Sequence, residues 1–270
     1  MTPALPPLVD SHCHLGWPIL ADDLDGVLAR MAAAGVAQAV VVATTPEDAP
    51  RVRDLCAGRP ALFPTAGLHP NDVPQDVAGA LTAIERLHRE GRGTWVGVGE
   101  TGLDYYRDQV ERGPQQEAFA AQLALARTLD LPVIVHIRDK QGRWEAYDDV
   151  ARLIDAEPGV RGVIHCYTGD AAHARPYLDA GFAVSFSGIL TFPKGENVRE
   201  AARAVPPERT LVETDAPFLA PLPHRGLTNE PSYVAITCRA WAALKGLPEA
   251  EARAVTAANA RALFRLPEPG

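Results

Sequence analysis

Short, continuous apolar runs recur along the chain at 8–14, 37–43, 62–67, 95–100, 133–136, 162–165, 183–187 and 210–214. Most lack in/out alternation, the pattern expected of parallel strands covered on both faces. Helical signals fill the gaps. Asp22-Asp23 can cap a helix that Gly35 ends, and Thr45-Pro46-Glu47 sets a cap, a first-turn proline and an early acid in order. Residues 77–92 read as a helix stopped at Gly91 or Gly93, and Pro114 opens a segment with Phe119, Leu123 and Ala126 on one stripe. Asp170 can cap a segment that ends at Gly181, with Pro176 interrupting it. Near the end, Val234, Cys238, Trp241 and Ala242 form one stripe, and Val255, Ala258, Ala262, Leu263 and Leu266 form another.

Strands alternating with helices leave a choice between an open doubly wound sheet and a closed barrel. An open sheet usually carries a glycine-rich phosphate loop early, and neither GxGxxG nor a P-loop is present. Polar residues also stand at the C-terminal ends of nearly all the runs. In a barrel those ends converge on one mouth; in an open sheet they would form a row too long for one site. The expectation is an α/β fold: a single (β/α)8 TIM barrel spanning all 270 residues.

The strand-end residues carry the chemistry. In Val9-Asp10-Ser11-His12-Cys13-His14, a strand points His12 and His14 to the same side, so that both imidazoles can reach one cation. His-x-His alone is a weak signal, since such pairs are often surface or core histidines. The fourth run ends in Gly99-Glu100, the fifth at His136, the sixth at His165, and the eighth leads to Asp215. Each has an ordinary explanation singly: a loop acid, a satisfied core histidine, a turn cap. Jointly, His12, His14, Glu100, His136, His165 and Asp215 are a costly set to bury without a counter-charge. Two divalent cations remove the cost. Four imidazoles and two carboxylates suit zinc, manganese, cobalt or nickel, with magnesium less natural.

Here the chain resembles the TatD family of metal-dependent deoxyribonucleases, within the amidohydrolase-like barrels. The motifs that carry the resemblance run nearly end to end: Asp10-Ser11-His12-Cys13-His14-Leu15, Gly67-Leu68-His69-Pro70, Gly99 to Tyr106, Pro132 to Asp139, His165-Cys166-Tyr167-Thr168-Gly169, Glu213 to Pro221, Pro223-His224-Arg225-Gly226 and Asn229-Glu230-Pro231. The resemblance implies that His12, His14 and Asp215 bind one metal, His136 and His165 the other, and that Glu100 bridges. It also implies a DNA substrate, with hydrolysis of phosphodiester bonds at DNA ends from 3′ to 5′. Asp215 would hold and deprotonate the attacking water. Gly16 stands where an acid often follows His-x-His-Leu, and Lys140 where a small residue is usual.

Around that set, His69, Arg138, Lys194 and Arg225 lie on loops after strands and are candidates to meet substrate phosphate. Tyr105, Tyr106 and Phe192 could stack on bases or pack at the rim. The net charge of −8 argues against a long electrostatic groove, but not against an enzyme that meets phosphate through cations and a few local basic groups. The four cysteines are scattered without a CxxC, so neither a disulfide framework nor a structural zinc site is expected. If His12 and His14 face inward, strand alternation turns Cys13 towards the helices, and Cys166 likewise beside His165. No basic-then-apolar leader opens the chain and no run approaches the roughly 20 apolar residues of a membrane span, so a cytoplasmic location is expected. Two other readings stay open: a hydrolase of an ester or amide, such as an aminoacyl-tRNA linkage or a small cyclic amide, and a binding protein that kept the fold. Many amidohydrolase-like barrels bridge their metals with a carbamylated lysine. Glu100 stands in that place here, which favours the nuclease-like branch.

Overall fold

The computed structural model describes residues 5–107 and 109–269. The apolar runs form parallel strands β1 (Leu8–Cys13), β2 (Val36–Val42), β3 (Leu62–Thr65), β4 (Val98–Asp104), β5 (Val133–Arg138), β6 (Gly162–Ile164), β7 (Ala183–Phe186) and β8 (Thr210–Val212). Helices α1 (Pro18–Ala21), α2 (Leu24–Ala33), α3 (Ala49–Cys56), α4 (Val77–Glu90), α5 (Arg112–Leu129), α6 (Glu145–Asp155), α7 (Ala171–Asp179), α8 (Glu196–Ala204), α9 (Val234–Lys245) and α10 (Glu249–Phe264) run between and after them.

Continuous pairing divides the strands into two arcs, β1-β2-β3 and β4-β5-β6-β7-β8. Isolated parallel bridges, Ala66 with Val98 and Cys13 with Ala216, join the arcs at two seams. At the first seam, Val96 N donates to Pro64 O and Gly99 N to Ala66 O, both at 3.0 Å. A side chain at Gly67 would strike the backbone of Gly99 and Glu100, so glycine lets the arcs meet there. At the second, His14 N donates to Ala216 O at 2.7 Å and Asp215 N to His12 O at 3.0 Å. The ring is thus closed, as a (β/α)8 TIM barrel requires.

Packing agrees. Val9, Val40, Ile134, Val163, Ala183 and Leu211, drawn from strands all around the ring, share one buried cluster with Phe264 of α10. Such residues meet only inside a closed barrel. A larger cluster fills the layer between strands and helices and contains Val27, Val52, Phe119, Leu123, Val150, Tyr177 and Trp241.

Several expectations move. β4 does not end at Glu100: it starts later and continues to Asp104, with a register irregularity between Val98 and Thr101. The Thr45 hydroxyl accepts from Asp48 N at 3.1 Å, capping a turn, and α3 begins only at Ala49. The stripe expected at the end is met in part: Leu266 is buried and Val255 and Leu263 pack against the core, but Ala258 and Ala262 are exposed, and within α10 Ala252, Arg253, Thr256, Ala257, Ala260 and Phe264 are the buried ones. Asp170 caps α7 as expected, through His173 N at 2.9 Å, and that helix tolerates Pro176. α1, α6 and α8 go beyond the helices that punctuation points to.

Candidate metal centre

At the C-terminal ends of the strands lies a cavity of about 630 Å³, with His14, His69, Glu100, His136, His165 and Asp215 in its lining. Glu100 is its hub. Its Oε1 lies 2.8 Å from His165 Nε2, 3.0 Å from His136 Nδ1 and 3.4 Å from His69 Nε2. Its Oε2 lies 3.4 Å from His12 Nε2 and 3.6 Å from His14 Nε2. Asp215 Oδ1 closes the other side, 3.4 Å from His14 Nε2 and 3.8 Å from His12 Nε2. The residues picked from the strand ends therefore meet at one point, and among the described residues three trios have donor atoms within 4.8 Å of one another: His12-His14-Glu100, His12-His165-Asp215 and His69-Glu100-His136.

The outer partners set which imidazole nitrogen faces inward. His14 Nδ1 donates to the Val42 carbonyl at 3.1 Å, leaving the Nε2 lone pair for the centre. His165 Nδ1 faces Glu213 Oε1 at 3.3 Å and presents Nε2. His136 is turned the other way: Nε2 faces Asp104 Oδ2 at 3.4 Å and Nδ1 looks inward. His69 differs in kind. Its Nδ1 accepts from Asn71 N at 3.1 Å, so the neutral ring carries its proton on Nε2 and offers a donor to the cavity. Asp104 is itself fixed by Asn71 Nδ2 at 2.8 Å, Tyr106 N at 2.9 Å and Arg107 N at 3.1 Å.

The donor set fits divalent cations. His12 Nε2 and His14 Nε2 lie 3.1 Å apart. With the His14 lone pair committed inward, that approach requires a proton or a cation between or beside the rings. Burial alone would raise the Glu100 carboxyl, but the neighbouring His165 and His69 imidazoles and bonds from His12 and His136 hold it well below the usual range. Burial opposes a charge on His165 too, and Glu100 and Glu213 push it well above. The cluster thus holds buried negative charge that draws positive charge in, and metal ions supply it without protonating the imidazoles.

Backbone geometry aims two of these segments. Asp215 has φ 56° and Cys166 φ 43°, both left-handed and both non-glycine. For Cys166 this overturns the expected orientation. β6 ends at Ile164, alternation stops there, and Cys166 lines the cavity beside His165 with its Sγ 3.3 Å from Ser187 Oγ. Cys13 is buried in the strand–helix layer, its thiol 3.4 Å from Val40 O.

Of the outer candidates, Arg138 ends β5 on the cavity wall, its guanidinium 4.1 Å from the centroid of the Tyr106 ring. Arg225 is exposed and lies 4.6 Å over the Phe192 ring, and Lys194 is exposed between the turn at Gly188–Thr191 and α8; neither lines the cavity. Tyr105 is a packing residue: it is buried and donates to Asp149 Oδ2 at 2.9 Å. Gly16 has no acid, and its carbonyl instead takes a bond from Arg51 Nη1. Sequence reasoning passed over Arg107, Trp17 and Phe218, which line the cavity, and Asp104 and Glu213, which brace the imidazoles. Asp104 and Glu213 lie inside motifs already singled out, and that was the signal available.

Comparison with known proteins places this geometry. A family model described as TatD related DNase matches residues 9–265. YcfH, a metal-dependent hydrolase of Escherichia coli strain K12, is 43% identical over 265 residues, covering 96% of each chain. A protein of Klebsiella pneumoniae strain 342 named 3′-5′ ssDNA/RNA exonuclease TatD is 35% identical over 247 residues, covering 90% of this chain and 92% of its own. The crystal structure of YJJV, a TatD homolog from Escherichia coli K12, superposes with a TM-score of 0.89 at 29% identity, covering 96% of this chain and 98% of its own. The chain belongs to the TatD family of metal-dependent hydrolases.

Proposed function

We propose that this hydrolase is a nuclease that shortens DNA from its 3′ end, with two divalent cations held by His12, His14, Glu100, His136, His165 and Asp215. The observation that carries the reading is the convergence on Glu100: both carboxylate oxygens are spent, one towards His136 and His165, the other towards His12 and His14. That is the arrangement of a bridging carboxylate between two positions, and the set is too large for one tetrahedral ion. His12, His14 and Asp215 serve one position, His136 and His165 the other. When bound, such a pair supplies hydroxide near neutral pH and polarises a phosphoryl oxygen.

The chain's own groups do the rest. Asp215 Oδ1 faces the cluster, and the bond with His14 keeps its carboxyl below the usual range despite burial, so it is ionised; its part as base relies on cations that would make the water itself more acidic. His69 presents its Nε2 proton to an oxygen of the scissile phosphate. Arg138, joined by Arg107 on the same wall, offers guanidinium donors to phosphate on a protein of net charge −8. Lys194 and Arg225, further out, would meet a longer strand. The name borne by the Klebsiella relative supports a nucleic-acid substrate and the 3′-to-5′ direction.

The test is an assay of metal-reconstituted protein on end-labelled single- and double-stranded DNA, beside a p-nitrophenyl phosphodiester and an aminoacyl-tRNA. Stepwise loss of nucleotides from the 3′ end is expected. Release of the aminoacyl group with the DNA left intact would replace the nuclease by an esterase on the same site.

A further inference from the structure

Two aromatic side chains at the cavity mouth have no part in the metal centre. Trp17 and Phe218 are 43% and 42% exposed, while Trp95 and Trp241 are buried in the core. Both line the same cavity as Glu100 and Asp215. Their rings meet at 5.1 Å between centroids with an interplanar angle of 84°, which makes an open corner instead of a closed stack. Phe218 also stands edge-on to the His14 ring at 6.2 Å.

The corner is rigidly mounted. Trp17 follows His14 by three residues and its N–H donates to the His14 carbonyl at 3.1 Å. Phe218 follows Asp215 by three, and its N–H donates to the Asp215 carbonyl at 2.9 Å. Asn229 Nδ2 holds the Phe218 carbonyl at 2.5 Å. Each ring is thus fixed to a segment that carries a site residue. Arg107 follows β4 and Arg138 ends β5, across the ring from β1 and β8, and both line the cavity together with Asn71 and Gln109. A mouth with aromatic faces on one side and guanidinium groups on the other matches a ligand with a flat apolar ring at one end and an anion at the other.

Resting on the nuclease reading, we propose that Trp17 and Phe218 form the stacking corner for the base of the nucleotide being removed, and so set the enzyme's preference for an unpaired end. A base in that corner lies against one ring face and one ring edge, a contact every base can make. A paired terminal base cannot enter without leaving its partner. One nucleotide would span the corner and the metal centre, its phosphate directed to the arginine wall.

The test compares kinetics on a single-stranded oligonucleotide with kinetics on the same oligonucleotide made abasic at the residue first removed. Wild type should show a KM about tenfold higher on the abasic strand. Trp17→Ala should raise KM on the normal strand by a similar factor, with kcat within about twofold, and should add no penalty on the abasic strand. Phe218→Ala should do the same, and Trp17→Phe should restore most of the difference. If Trp17→Ala impairs both strands equally, or leaves KM on the normal strand unchanged, the stacking corner is wrong while the nuclease stands. If metal-loaded wild type cleaves neither strand, the nuclease reading fails and takes the corner with it.

Discussion

Asp215 is asked to do two things, to bind a cation and to take a proton, and a single substitution can separate them. Asp215→Asn keeps the size and one oxygen but loses the charge and nearly all basicity. It should retain appreciable metal while losing on the order of 10²-fold in kcat. Metal content and turnover measured on the same preparation check this. Wild-type turnover with both metals bound would remove Asp215 as the base. His88 poses a different question, because it lies outside the centre. Its Nε2 donates to Ala66 O at 3.0 Å, while its Nδ1 is buried without a partner among the described residues. Burial accordingly lowers its pKa below the usual 6.5. Below that value the unfolded chain binds a proton that the folded one refuses, so stability falls with falling pH. The slope from this one group can approach about 1.4 kcal/mol per pH unit. His88→Gln should flatten that slope relative to wild type in urea melts run from pH 7 down to pH 5, and an unchanged slope would show that the proton is accommodated. At this scale the sequence was informative where a titratable residue stands in or just after the C-terminal half of an apolar run, even where the strand goes on beyond it, as past His136. It said little of Asp104 and Glu213, since a carboxylate that acts through the far nitrogen of an imidazole looks like any strand-end acid.

Among elements, the meeting of β1 with the segment after β8 depends on one side chain. Asp10 is fully buried, accepts from Thr214 N at 2.9 Å and lies 2.5 Å from Thr214 Oγ1. It also takes the His12 N–H at 3.3 Å. Asp10 therefore ties the segment bearing His12 to the one bearing Asp215. Asp10→Ala would leave the Thr214 donors unpaired, and should cost about 3 kcal/mol in a urea titration. Asp10→Asn keeps the carbonyl acceptor and offers a donor to Thr214 Oγ1, so it should stay within about 1 kcal/mol of wild type. Equal losses in the two variants would mean that the carboxylate itself is needed there, and that an amide of the same shape cannot replace its bonds. The sequence located the strands because parallel strands buried on both faces are unbroken apolar runs. It missed part of the buried face of α10 for a reason visible in Arg253 and Thr256. Arg253 pairs with Glu249 at 2.9 Å and Thr256 Oγ1 bonds Ala252 O at 2.8 Å, so polar side chains sit satisfied on the buried stripe. A reading that follows apolar residues alone then chooses the neighbouring face. β4 ran past its expected end because the apolar run that marks it stops at Glu100, while the strand goes on through Thr101 and Gly102, the latter at φ 139°, to Asp104.

For the whole molecule, the two seams matter most. Each is closed by a single bridge and a few backbone bonds, whereas pairing within the arcs is continuous. His12, His14 and His69 come from the smaller arc or the loop after it, and Glu100, His136 and His165 from the larger. A cation bound to both sets is a clasp across a split ring. Its affinity then measures how well the halves are aligned, and its removal lowers the work of parting them. Chelation should lower the melting temperature by several degrees. In hydrogen exchange, the amides of His14, Gly99 and Asp215 should lose protection on chelation before those of Val135 or Val184, which lie within an arc. Uniform loss around the ring would show that the barrel holds together without its clasp.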